Sequence, residues 1–161
     1  MNTQILTFKR NIQSYRHVRT LLVDDSECMR EYLTMLIGLE SGFELVGTAS
    51  DGSQALRCVA ALKPDLVLMD VNMPRLNGLQ ATRSIKESGK QSGYAPIIVI
   101  VSSEDTLACR FQAEEAGANG FVSKSTNLQE ELKSTLNNLF PEYDGLLPAE
   151  IDAASHEGSC H

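Results

Sequence analysis

The stretch LVLMD at residues 66–70 decides the fold, because four apolar residues run directly into an aspartate. An uninterrupted apolar run of this length is typical of a strand buried on both faces of a parallel sheet. Three other apolar runs also end in polar residues: 21–23 before Asp24 and Asp25, 97–101 before Ser102 and Ser103, and 120–123 before Lys124. These runs predict strands of a single sheet.

Helical patterns alternate with the apolar runs, which is the signature of βα repeats. We predict strands at 19–23, 43–49, 66–69, 97–101 and 120–123, and helices at 26–39, 53–62, 79–87, 105–116 and 127–139. The Ser/Gly-rich stretch 88–95 is predicted to be a loop. The pattern predicts an α/β fold with a flavodoxin-like doubly wound five-stranded parallel sheet and five helices.

The carboxyl ends of parallel strands share one edge of a sheet, and ligands bind at that edge. We therefore expect Asp24, Asp25, Asp70, Ser102 and Lys124 to converge. Three neighbouring carboxylates repel one another, so that one of them would normally stay protonated unless a cation neutralises them. Mg²⁺ prefers oxygen ligands, and a carboxylate can act as a covalent nucleophile. The pattern predicts a magnesium-and-phosphate site built around such a nucleophile.

Together these residues resemble the receiver domain of bacterial response regulators, which act in two-component signal transduction. The resemblance covers about residues 18–140. It is carried by four elements in order: Asp24-Asp25, the run D-x-x-M-P-x-x-x-G from Asp70 to Gly78, Ser102 and Lys124. The Asp-Asp pair alone is a weak signal, the run is fairly specific, and the four in order are strong.

The resemblance implies that Asp70 accepts a phosphoryl group from a histidine kinase or a phosphotransfer protein. It also implies that Asp25 and Asp70 bind Mg²⁺ directly, that Asp24 does so directly or through water, and that the backbone carbonyl of Asn72 completes the ligand set. Lys124 and the metal would offset the added negative charge, which is about −1.5 to −2.

Two further residues are assigned to a conformational switch by the same resemblance. Ser102 would bond a phosphoryl oxygen, and Phe121 would be the aromatic switch, although a Phe in a strand is more often simply core. The expected mechanism is a population shift that changes the face of the fourth helix, fifth strand and fifth helix. The signal would pass to a downstream output protein or to a second copy in a phosphorylation-dependent homodimer.

One position departs from the family pattern. Ser125 follows Lys124 where the family usually carries a proline in a cis bond. A cis bond without proline costs about 2.5–4 kcal/mol, so we expect a trans bond and a different local turn.

Charge and composition narrow the range of partners. The net charge is −7, and residues 1–20 contain four basic residues and no acidic one, so the rest of the chain carries −11. An acidic body makes direct nucleic-acid binding improbable, since phosphate contacts need basic patches.

The sequence shows no apolar run long enough to span a membrane and no signal-peptide pattern. Widely spaced cysteines without C-x-x-C are expected to be reduced, and the predicted location is the cytoplasm.

The predicted domain organisation is an N-terminal arm at 1–17, a receiver domain at 18–140 and a C-terminal tail at 141–161. Three alternatives remain open at this point. The chain could be a degenerate receiver that serves as a phosphorylation-independent interaction module, or a receiver fragment of a longer DNA-binding regulator. A metal-dependent hydrolase is disfavoured, because it would want a second acid where Asn72 stands. We expect no enzymatic activity beyond the chain's own phosphorylation and dephosphorylation.

Overall fold

The structure is a computed structural model and describes residues 16–143. The strands are β1 (Val18–Val23), β2 (Phe43–Ala49), β3 (Leu66–Met69), β4 (Ile97–Ser102) and β5 (Gly120–Ser123). The helices are α1 (Glu27–Gly38), α2 (Gly52–Leu62), α3 (Gly78–Ser92), α4 (Leu107–Ala116) and α5 (Leu128–Leu139), followed by a 3₁₀ turn at Pro141–Tyr143. Most of the predicted arm and tail lies outside the described residues.

The five strands form one parallel sheet in the order β2-β1-β3-β4-β5. This is the strand order of the flavodoxin-like doubly wound fold, so the predicted fold class is confirmed. The central strand β3 is buried at all four positions, as its continuous apolar run predicts. Two apolar clusters lie on opposite faces of the sheet, one around Leu21, Val67 and Ile98 and the other around Leu22, Leu68 and Val99.

Capping side chains set where several helices begin. Ser26 accepts a hydrogen bond from the backbone N–H of Met29 at the start of α1. Asp51 does the same for α2 by accepting from Gln54. These side chains satisfy backbone donors that a helix start leaves without a partner. The caps therefore fix where α1 and α2 begin, shortly after the ends of β1 and β2.

The largest difference from the predicted elements is α3, which continues to Ser92 instead of ending at residue 87. The Ser/Gly-rich composition suggests a loop, but packing keeps this segment helical. Gly89 lies against Ala95, where an added Cβ would come within 2.7 Å of the Ala95 Cβ. The residue that caps the helix after Ser92 is Gly93, and its left-handed φ of 75° suits glycine.

The start of α4 also differs from the predicted Asp105. Thr106 is the N-cap and accepts from the backbone N–H of Cys109, so the helix begins at Leu107. Asp105 instead forms an ion pair with Arg110.

None of the helices within residues 16–143 has both the length and the apolar character that a membrane span needs. The described cysteines Cys28, Cys58 and Cys109 are all free thiols.

Candidate functional site

Three aspartates meet where β1 and β3 end. Oxygen atoms of the Asp24, Asp25 and Asp70 carboxylates lie within 4.8 Å of one another. Asp24 and Asp70 are buried, at 1% and 5% exposed, whereas Asp25 is exposed. β1 and β3 are neighbours at the point where the strand order reverses, which is where this fold binds ligands. The predicted convergence of these three carboxylates is therefore present in the structure.

Lys124 reaches this cluster from the edge strand β5. Its Nζ lies 2.7 Å from Asp24 Oδ2 and 3.1 Å from Asp70 Oδ1. The Lys124 side chain is only 13% exposed, so its charge acts in a partly desolvated setting where an ion pair is weakly screened. The ammonium group thus bridges the two buried carboxylates.

The three carboxylates differ in how many of their oxygens are already engaged. Asp24 uses both, because Oδ1 accepts the backbone N–H of Ser26 at 2.9 Å and Oδ2 accepts from Lys124. Asp25 faces solvent at the open side of the cluster. A ligand that arrives from solvent therefore meets the Asp25 carboxylate first.

The pKa of Asp70 is raised to about 6. Burial of the carboxyl is the largest cause, Lys124 opposes it, and the negative charges of Asp24 and Asp25 add to it. The single ammonium group therefore does not fully compensate the buried acidic group. Clustered hard oxygen donors with surplus negative charge fit a divalent cation such as Mg²⁺.

The loop after β3 is held tightly beside Asp70. Val71 and Met73 are buried, and the backbone N–H of Gly78 donates to the Val71 carbonyl at 2.9 Å. A Cβ at Gly78 would lie 1.8 Å from the Asp70 carbonyl oxygen, so only glycine fits there. Asn72 lies exposed on this loop, two residues beyond Asp70.

The two predicted switch residues occupy different surroundings. Ser102 is fully buried at the end of β4, and its Oγ accepts the backbone N–H of Glu104 at 3.1 Å. Phe121 is half-buried on β5, with the guanidinium of Arg110 4.6 Å from the ring centroid. Phe121 packs against the apolar cluster around Leu21, and it also lines an open groove together with Arg110 of α4 and residues of α5.

Two residues around the site, Glu131 and Arg110, were not predicted from the sequence. Glu131 accepts the backbone N–H of Ser123, next to Lys124, and Arg110 stacks on Phe121. No motif or spacing marks either residue, because both contacts join a side chain on a helix, α4 or α5, to the strand β5 that lies between these helices in the chain. They become visible only when the helices are packed against the sheet.

Comparison with known proteins decides the family. A family model described as "Response regulator receiver domain" matches residues 20–137. The chain belongs to the response regulator receiver domain family. The resemblance stated from the motifs is thereby confirmed, together with the assignment to two-component systems.

Individual relatives agree with this receiver assignment. The protein-glutamate methylesterase/protein-glutamine glutaminase 4 of Geobacter metallireducens is 46% identical over 103 residues, which cover 63% of this chain and 28% of that protein. The response regulator GacA of Pseudomonas aeruginosa is 36% identical over 117 residues, covering 73% of this chain and 53% of that protein. The crystal structure of the response regulator domain of Thermotoga maritima CheB matches with a TM-score of 0.68 and 30% identity, covering 80% of this chain and 98% of that chain.

The comparison also corrects one expectation. From the sequence alone we expect no enzymatic activity beyond the chain's own phosphorylation and dephosphorylation. That expectation is wrong, because three of the relatives are named as protein-glutamate methylesterase/protein-glutamine glutaminase enzymes. The chain spans 28% to 36% of the length of those three relatives. The receiver motifs of this chain lie at the sheet edge, and they carry no signal about the other parts of such longer proteins.

Proposed function

We propose that this receiver accepts a phosphoryl group on Asp70 from a histidine kinase or a phosphotransfer protein, and that the reaction needs Mg²⁺. One observation carries the proposal: the buried Asp70 carboxylate lies 3.1 Å from the Lys124 ammonium group and beside two further carboxylates. This juxtaposition supplies a nucleophile, a cationic partner for the transferred group and oxygen donors for a metal.

The chemistry is a direct transfer between donor and carboxylate. An oxygen of Asp70 forms a bond to phosphorus while the bond from phosphorus to the donor's histidine nitrogen breaks, and that nitrogen keeps the electron pair. Such transfers depend mainly on positioning and charge stabilisation. Mg²⁺, held by Asp25, Asp70 and the Asn72 carbonyl with Asp24 direct or through water, would neutralise charge on the phosphoryl oxygens.

Lys124 has a second task in this proposal. Its ammonium group bonds Asp24 and Asp70 in the described structure, and it would pair with a phosphoryl oxygen once Asp70 is modified. That exchange of partners ties the state of Asp70 to the position of β5. A charged phosphoryl group gives the exchange an electrostatic driving force.

The output is proposed to leave through the surface formed by α4, β5 and α5. Ser102 would turn to the phosphoryl group, and Phe121 would move into the space this opens. Both changes would alter the groove that contains Arg110 and Phe121. A downstream protein or a second copy of the chain would read this altered surface.

The experiment is a phosphorylation assay on the full chain with acetyl phosphate and Mg²⁺, followed by intact-mass measurement. Wild type should gain one base-labile phosphoryl group, and Asp70→Asn should gain none. Glu44→Gln removes an exposed carboxylate on β2 and serves as the matched control. Phosphorylation of Asp70→Asn to the wild-type level would refute the assignment, and an unmodified wild type would favour the interaction-module alternative.

A further inference from the structure

We propose that Glu131 on α5 is a positioning residue for Lys124, an inference that rests on the role proposed above for Lys124. The evidence lies at the end of β5, the strand that leads into this lysine. Among residues 16–143, β5 lies at one edge of the sheet and β4 is the strand that it pairs with. Its outward backbone groups therefore need partners from outside the sheet.

The backbone N–H of Ser123 is one of these outward groups. The next N–H along the chain, that of Lys124, donates inward to the Ser102 carbonyl at 2.8 Å. Because successive N–H groups of a strand point to opposite sides, the Ser123 N–H points away from β4. Ser123 is buried, so this donor needs a protein partner. A carboxylate oxygen of Glu131 accepts it at 3.1 Å.

The same carboxylate also reaches the residue on the other side of Lys124. Its second oxygen lies 3.5 Å from the Ser125 hydroxyl, and that hydroxyl accepts the backbone N–H of Asn127 at 3.2 Å. Glu131 therefore contacts the residues immediately before and after the lysine. It does so from a half-buried position on the first turn of α5.

The backbone around Lys124 is therefore held from two sides. The Ser102 carbonyl holds it from β4, and Glu131 holds its neighbours from α5. This restricts where the ammonium group can lie, and that group sits at hydrogen-bond distance from two aspartates. Glu131 is thus placed to act on the site through Lys124.

The first test compares variants of the full chain in the acetyl phosphate assay with Mg²⁺. Glu131→Ala should lower the phosphorylation rate by about 5-fold or more, whereas Mg²⁺ affinity should stay within about 2-fold because the carboxylates are untouched. Glu131→Gln keeps an acceptor oxygen for the Ser123 N–H and should recover most of the rate. Glu130→Ala, at the exposed neighbouring position, should match wild type. If Glu131→Ala is phosphorylated as fast as wild type, the inference is overturned.

A double-mutant cycle separates positioning from general stability. In a Lys124→Ala background, adding Glu131→Ala should cause no further loss of rate, because the two residues act through one path. An equal loss in both backgrounds would show a structural role only. Thermal melts of all variants check that they are folded.

A last measurement needs no phosphoryl donor and so stands apart from the proposed function. Hydrogen exchange of the Lys124 ammonium group, followed by NMR, should accelerate in Glu131→Ala and not in Glu130→Ala. Unchanged exchange in Glu131→Ala would overturn the positioning role. If exchange accelerates while wild type takes up no phosphoryl group, the proposed function fails and the role of Glu131 in holding Lys124 stands.

Discussion

Asp70 sits in surroundings that favour its protonated form, and this has a consequence for stability. Its pKa rises from 3.8 to about 6 on folding, chiefly through burial. Since the folded protein then binds this proton more tightly than the unfolded chain, the free energy of unfolding falls as pH rises from 3.8 through about 6. The full shift corresponds to about 3 kcal/mol, and solvent at the mouth of the site reduces it to about 1–2 kcal/mol.

Asp70→Asn should remove this penalty. Without Mg²⁺, chemical denaturation near pH 7 should show the variant to be more stable than wild type by about 1–2 kcal/mol. Near pH 4 the two proteins should differ much less, because Asp70 is then largely protonated in the folded protein. A stability difference that does not change with pH would show that the carboxyl is not perturbed in this way. Glu44→Gln controls for the loss of an exposed charge.

Lys124 lowers the pKa of Asp70, in opposition to burial. Lys124→Ala removes that opposing charge, so the pKa of Asp70 should rise above about 6 in the metal-free protein. An NMR titration of the side-chain carboxyl carbon measures it. Lys133→Ala, at an exposed position on α5, should leave the titration unchanged. A pKa that stays the same or falls in Lys124→Ala would contradict the contact with Asp70.

Among single residues, the positions just after strand ends predicted that the three carboxylates and Lys124 would lie close together, and the structure has them so. It could not predict that Lys124 lies nearer to Asp24 than to Asp70, since strand ends give an edge of the sheet but no side-chain distances. The roles assigned to Asp24, Asp25, Asp70 and Lys124 stay predictions, as do those of Asn72, Ser102 and Phe121.

At the scale of the elements, α3 determines the room around Asp70. Gly78 is the first residue of that helix, and its backbone packs against the Asp70 carbonyl. Gly78→Ala would force backbone atoms apart and should lower the free energy of unfolding by about 1–3 kcal/mol. It should also slow phosphorylation, because Asp70 must shift. Denaturant melts and the acetyl phosphate assay measure the two effects.

The matched control for this glycine is Gly38 at the end of α1. Nothing lies within 4 Å of a Cβ added there, so Gly38→Ala should be neutral or stabilising by up to about 1 kcal/mol. If Gly78→Ala is as well tolerated as Gly38→Ala, the packing described beside Asp70 is wrong.

The elements themselves follow from the sequence wherever one signal dominates. The bounds of β2, β3 and β5 were predicted correctly. For β3 the reason is burial on both faces, which leaves an uninterrupted apolar run. The end of α3 was mispredicted, since local composition favours a loop there and contacts with residues after the helix decide otherwise. Tertiary packing overrides weak local propensity in such places.

For the whole molecule, the proposed metal site predicts a link between Mg²⁺ binding and stability. A cation that binds the folded chain and not the unfolded one stabilises it by mass action, by about 2.7 kcal/mol at 100 times its Kd. Thermal melts with increasing Mg²⁺ should therefore show a rising Tm for wild type. Asp25→Ala removes the exposed carboxylate of the cluster and should show a much smaller rise. An equal rise in both proteins would place the metal elsewhere.

The most direct test of the account is to locate the phosphoryl group by residue. The full chain is treated with acetyl phosphate and Mg²⁺, the acyl phosphate is reduced with borohydride, and the peptides are sequenced by mass spectrometry. Reduction converts a phosphorylated aspartate to homoserine, so the account predicts homoserine at position 70 and unmodified aspartate at 24 and 25. Homoserine at position 24 or 25, or none at 70 in a protein that has gained a phosphoryl group, would contradict it.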